Sequence, residues 1–105
     1  MDNLKSNDCI TPKELKELIV VKKQTVKIID VRSKEEYDLS HIPGAININV
    51  VDIELADKVL NKNDFIITAC GKGGGRSINA AKKLEVLGFE NTWWLCGGTF
   101  GWMGC

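Results

Sequence analysis

Histidine is all but missing from this chain, with His41 the only one. That scarcity excludes a cysteine protease, which needs an imidazole base beside its nucleophile. It also leaves no Cys/His zinc pattern, since the four cysteines at 9, 70, 96 and 105 include no C-x-x-C pair. The cysteine spacing matches no disulfide framework, so reduced thiols in a cytoplasmic setting are expected. Net charge is absent as well: 14 basic and 14 acidic side chains cancel, which removes the electrostatic case for nucleic acid or an anionic membrane. Long apolar runs are lacking, residues 1–6 have no apolar core of a secretory leader, and no repeat or low-complexity segment occurs. These absences together predict a soluble chain of one domain over its 105 residues, with enough length for a real hydrophobic core.

What the chain does have is concentrated after Cys70, in Cys70-Gly71-Lys72-Gly73-Gly74-Gly75-Arg76-Ser77. The preceding Phe65-Ile66-Ile67-Thr68-Ala69 is apolar, rich in β-branched and aromatic residues and too short for a helix, which predicts a buried strand. Beyond Arg76, Ala80, Ala81, Leu84 and Leu87 recur at helical spacing, and Gly88 ends the pattern where a left-handed cap is usual. A strand, a glycine loop and a helix start in succession make an anion pocket, because the first helical N–H groups lack internal partners and the dipole there is positive. A thiol so placed beside Lys72 and Arg76 is expected to ionise easily, its pKa falling from about 8.5 to roughly 3.5–7.5. Cys70 is therefore the candidate nucleophile, with Gly71, Lys72, Gly73, Gly74, Gly75, Arg76 and Ser77 as candidate substrate-binding residues.

The remaining sequence alternates helix and strand. Thr11-Pro12-Lys13-Glu14 is a capped helix start followed by the apolar stripe of Leu15, Leu18 and Ile19. Residues 26–31 predict a strand, and Ser33 predicts a cap for a short helix with Glu36 and Tyr37. His41-Ile42-Pro43-Gly44-Ala45 leads through a turn into a short strand, with Gly44 expected at a backbone angle other residues resist. Asp52 is expected to cap a helix to about Leu60. Residues 92–95 predict a further strand, with Trp93 and Trp94 on opposite faces, followed by a Gly97-Gly98 turn. Alternation of this kind implies an α/β fold with a mostly parallel sheet and ligands beyond the strands' carboxyl ends.

At this point the chain resembles the rhodanese-like family over roughly residues 11–103. Four motifs match in order: Asp30-Val31-Arg32-Ser33 with Glu36-Tyr37, then His41-Ile42-Pro43-Gly44-Ala45, then the Cys70 loop with Arg76-Ser77, then Leu95-x-Gly97-Gly98 followed by Trp102. The resemblance implies a three-layer sandwich whose mostly parallel sheet of about five strands carries helices on both faces. It also implies a sulfurtransferase in which Cys70 takes sulfane sulfur from thiosulfate or a persulfide and passes it to a thiophilic acceptor such as cyanide, a thiol or a protein of a sulfur relay. No metal or organic cofactor is implied. Asp30 and Arg32 match a pair that looks structural in the family and would brace the loop.

Two departures from the family pattern matter. Five residues separate Cys70 from Arg76, where many single-domain sulfurtransferases have four. The longer loop resembles that of the dual-specificity phosphatases and arsenate reductases of the same superfamily, which keeps oxyanion chemistry as an alternative, beside a non-turnover carrier or interaction module. The second departure is Cys96, a thiol at a strand end on the expected ligand side. It is a candidate resolving thiol for Cys70, or a small buried residue. Cys9 and Cys105, near the ends, are given no role. Trp93, Trp94, Phe100 and Trp102 are candidates for an apolar rim, with core packing as the commoner fate.

Overall fold

Parallel strands cannot be joined by tight hairpins, so successive strands here are joined by crossovers that return over a face of the sheet. The structure, a computed structural model, describes residues 9–71 and 75–103. The elements run β1 (Cys9–Ile10), α1 (Pro12–Val20), β2 (Val26–Asp30), α2 (Lys34–Leu39), β3 (Ile46–Asn47), a 3-10 helix (Val50–Lys58), β4 (Phe65–Ala69), α3 (Gly75–Val86), β5 (Thr92–Leu95) and α4 (Gly98–Met103). Five strands form one all-parallel sheet in the order β1-β5-β4-β2-β3. The predicted α/β class and the parallel sheet of five strands with helices on both faces are what the chain adopts.

Side-chain alternation along the central strands divides the core in two. Ile29 and Val31 beside β2, with Ile66 and Cys70 beside β4, pack with Ile53 and Ala56 of the 3-10 helix and Ala80 and Leu84 of α3. Ile28, Ile67 and Ala69 point the other way, with Leu15 of α1, Trp93 and Leu95 of β5, and flanking Tyr37 and Trp102. Among the described residues no helix is long and apolar enough to cross a membrane.

Local sequence signals account for most element boundaries. Thr11 and Ser33 each close a capping box, with Glu14 and Glu36 respectively, so the first backbone donors of α1 and α2 are satisfied by side chains. Gly44 (φ +86°) and Gly88 (φ +105°) hold the positive angles expected of them. The segment expected to be a helix capped by Asp52 is instead a 3-10 helix that begins at Val50 and is capped by Asn49, whose side chain accepts from Val51 N. Asp52 itself has non-helical angles (φ −109°, ψ 17°) and interrupts it. The start is fixed from outside by Val50 N donating to Val31 O at 3.1 Å, a tertiary bond that local propensity does not report.

Two elements escaped the sequence reading. β1 is only two residues long and exists by pairing with β5, Cys9 beside Trp94 and Ile10 beside Leu95. α4 contains two glycines in six residues, a composition that masks helical periodicity.

Candidate active site

Asp30 and Ala69 are partners in the β2–β4 register, so the chain leaves both strands side by side at the carboxyl end of the sheet. Cys70 is the next residue after Ala69, and Arg32 stands two after Asp30. Cys70 is 5% exposed and falls on the α3 face. Its Sγ lies 3.4 Å from Ser77 Oγ, within hydrogen-bond reach for sulfur, and Ser77 belongs to the first turn of α3. Two positions earlier on the same face, Thr68 Oγ1 donates to Ser77 O at 2.8 Å. Strand alternation thus aims Thr68 and Cys70 at one residue, and the buried threonine fixes the helix start relative to the sulfur.

The other side of Cys70 is held by α4. Thr99 N donates to Cys70 O at 2.7 Å and Phe100 N donates to Gly71 O at 3.0 Å. A Cβ at position 71 would meet Phe100 Cε2 at 3.3 Å, so glycine there lets the ring lie close against the loop. Neither Thr99 nor Phe100 was assigned a backbone role from sequence, and the nearest signal was the Gly97-Gly98 turn that precedes them. Thr99 is fully buried, and its Oγ1 has no hydrogen-bond partner among the described residues.

Of the residues predicted to line the site, Cys70, Gly71, Arg76 and Ser77 meet at this strand end, and Gly75 is the first residue of α3. Lys72, Gly73 and Gly74 lie outside the described residues. Arg76 is held by a carboxylate: its NH1 donates to Glu36 Oε1 at 2.8 Å and its NH2 to Glu36 Oε2 at 3.3 Å. Oε1 also accepts from Ser33 N and Ser33 Oγ, so the acid that caps α2 also binds the arginine of α3. The Arg76 guanidinium and the Ser33 backbone N–H hold the Glu36 carboxyl down at about 2, and Glu36 in turn raises the pKa of Arg76, with a smaller upward contribution from Cys70.

Asp30 and Arg32 form a second pair, buried to 1% and 2% exposure, with NH2 donating to Oδ2 at 2.7 Å. Arg32 NH2 also donates to Ser40 O, and Asn47 Nδ2 donates to the carbonyls of both Asp30 and Arg32. The hydrogen bond that Arg32 donates to Asp30 raises the Arg32 pKa, against the cost of burial. His41 stacks on Tyr37 and its Nδ1 donates to Tyr37 O at 2.7 Å, a turn-packing role. Among the described residues no cluster of His, Cys, Asp and Glu is gathered for a metal.

Cys96 has a different partner from the one considered. It forms a disulfide with Cys9, Cα to Cα 5.1 Å, on the side of β5 away from β4. Parallel pairing of β1 with β5 brings the two together, and Cys96 N donates to Ile10 O at 2.9 Å. The sulfur considered as a resolving thiol is therefore already bonded, Cys9 has a role after all, and among the described residues Cys70 is the cysteine outside a disulfide. A disulfide suits oxidising conditions, whereas the cysteine spacing pointed to reduced thiols. Of the aromatic residues, Trp93 is core and stacks on Phe65, Trp94 is half-buried, and Trp102 lies under Lys16. Phe100, 53% exposed, is the one that borders the site, beside Gly71 and over Arg32.

A cysteine at the carboxyl end of a parallel strand, against a helix start and beside a strand that ends in a buried Asp–Arg pair, defines the class. The sequence profile of the Rhodanese-like domain matches residues 11–105, and the chain belongs to that family. It is 36% identical over 81 residues to YrkF of Bacillus subtilis (strain 168), provisionally named a sulfur carrier protein, covering 77% of this chain but only 43% of YrkF. It is 28% identical over 83 residues to the thiosulfate sulfurtransferase GlpE of Coxiella burnetii (strain RSA 331 / Henzerling II), covering 79% of this chain and 77% of GlpE. The crystal structure of a rhodanese-like domain protein from Staphylococcus aureus superposes with a TM-score of 0.79 at 32% identity, covering 90% of each chain.

Proposed function

We propose that this chain is a single rhodanese domain that transfers sulfane sulfur through Cys70. The Cys70 thiolate attacks the outer sulfur of thiosulfate, the bond between the two donor sulfurs breaks, and sulfite departs with its electron pair, leaving a Cys70 persulfide. A thiophilic acceptor then takes the outer sulfur and returns the thiolate. The observation that supports this most is the position of Cys70 Sγ against the first turn of α3, where helix amides favour an anion and the Ser77 hydroxyl is in reach. The GlpE likeness supports thiosulfate as donor, and the YrkF likeness supports a carrier that hands sulfur to a protein. Both readings of this chain run through the same proposed Cys70 persulfide.

Beside Ser33, a cleft of 390 Å³ opens against Asn47, Ile48 and Asp52 at the same end of the sheet, with room for the organic part of a thiol acceptor. Intact mass spectrometry of protein mixed with thiosulfate is expected to show one added sulfur, absent in Cys70→Ser. Turnover with thiosulfate and cyanide distinguishes an enzyme from a carrier that loads once. Phosphate release from an aryl phosphate without any sulfur adduct would move the assignment to oxyanion chemistry.

A further inference from the structure

The two cations that the described residues bring near Cys70 are both neutralised. Arg32 is paired with Asp30 at 2.7 Å and Arg76 with Glu36 at 2.8 Å. The pairs are close enough to act as one group: Arg32 feels the charges of Glu36 and Arg76, and Arg76 feels those of Asp30 and Cys70. Two positive and two negative side chains leave this quartet with no net charge. An ionised Cys70 makes the total negative. A donor anion approaching the sulfur therefore gains no net-charge attraction from the quartet.

The Asp30–Arg32 pair is buried and built into the turn after β2, so its balance is fixed by the fold. The Glu36–Arg76 pair is different, with side chains 40% and 45% exposed and joining two separate helix starts. Glu36 Oε1 is also engaged by Ser33 N and Ser33 Oγ, which helps to hold the carboxylate against Arg76. The α2 capping box thus presents a fixed negative charge to Arg76.

We propose that Glu36 is a specificity-determining residue: by neutralising Arg76 it makes the Cys70 site discriminate against doubly charged sulfur donors in favour of singly charged ones. The inference depends on the sulfur-transfer reading above and specifies its donor class, donors of low negative charge. Glu36 acts through Arg76 and touches no reacting atom.

A matched pair of donors tests it. Thiosulfate is a dianion, and methanethiosulfonate replaces one of its oxygens with methyl and is a monoanion; in each the outer sulfur passes to Cys70 and sulfite or methanesulfinate leaves. The readout is the ratio of kcat/KM for thiosulfate to that for methanethiosulfonate, with cyanide as acceptor at low ionic strength. Glu36→Gln keeps the capping box, which accepts Gln as well as Glu, but removes the charge. It is expected to raise the ratio about three- to tenfold, the effect of one unit charge some ~6 Å away in a high-dielectric setting. Arg76→Gln exposes the Glu36 charge and is expected to lower the ratio by a similar factor. Glu36→Asp retains the charge and should leave the ratio within about twofold, and added salt should shrink all these differences.

A Glu36→Gln effect equal on both donors is what a merely structural role predicts, and it would overturn the proposal. So would an unchanged ratio in Arg76→Gln, a half-exposed position whose variant remains informative if Glu36→Gln fails to fold. Wild-type protein that gains no sulfur on Cys70 from either donor would instead overturn the sulfur-transfer reading itself.

Discussion

Asp30 shows most clearly how one residue holds the site. It receives the Arg32 backbone N–H and the Arg32 side chain, and its own carbonyl accepts from Asn47 and from Ile48 N. Removing the carboxylate would leave a guanidinium at 2% exposure without its counter-ion. Loss of one partner of a buried ion pair costs about 3–5 kcal/mol. Asp30→Ala is therefore expected to lower the unfolding free energy measured by urea denaturation by an amount of that size, and to slow sulfur loading of Cys70 even where the protein remains folded. Lys34→Ala, which removes the fully exposed ion pair with Asp38, should leave both measurements unchanged. A similar response in the two variants would mean that burial does not distinguish these pairs.

At the scale of elements, the contact between the starts of α2 and α3 has a defined pH dependence. Glu36 has its carboxyl lowered to about 2 in the folded chain, by Arg76 first and by the Ser33 backbone N–H next. An unfolded glutamate titrates near 4.3. A depressed folded value means that the stabilisation is fully present above the unfolded value and disappears as pH falls toward the folded one. The stability difference between wild type and Glu36→Gln, followed by urea denaturation, should be constant from pH 7 to about 5 and shrink between about 4.5 and 2. Its size will be modest, because both side chains are more than a third exposed and screened by solvent. A difference that grew on acidification would show that the carboxylate does not favour the folded state.

The whole molecule is closed by the Cys9–Cys96 disulfide, which spans 87 residues. It ties the short edge strand β1 to the end of β5, immediately before the turn into α4, whose amides hold Cys70 and Gly71. Cross-linking over so long a loop restricts the unfolded chain and is worth about 4 kcal/mol in chain-entropy accounts, within a usual range of roughly 2–5. Dithiothreitol is expected to lower the Tm of wild type and to leave that of Cys9→Ser unchanged. An equal shift in both proteins would place the reductant's effect elsewhere. Sulfur loading measured before and after reduction would report whether the closure reaches the active site through α4.

The sequence by itself determined the strand ending at Cys70, the capping boxes at Thr11 and Ser33, the turn glycines at 44 and 88, and the order of motifs that places the chain in its family. These signals are local: periodicity over a few residues, a hydroxyl three positions before a glutamate, or a glycine where other residues resist the angle. Only the tertiary structure decided that Cys96 meets Cys9, that Arg76 is bound by Glu36 from 40 residues away, and that α4 grips the loop through its backbone. Each of those depends on strand order or helix placement, which bring together groups far apart in the chain. The start of the 3-10 helix at Val50 was misplaced for a related reason, since part of what fixes it is a hydrogen bond to Val31. Charge balance at the site belongs to the same class: composition counts lysines, arginines and acids, but which cation is cancelled depends on which carboxylate the fold sets beside it.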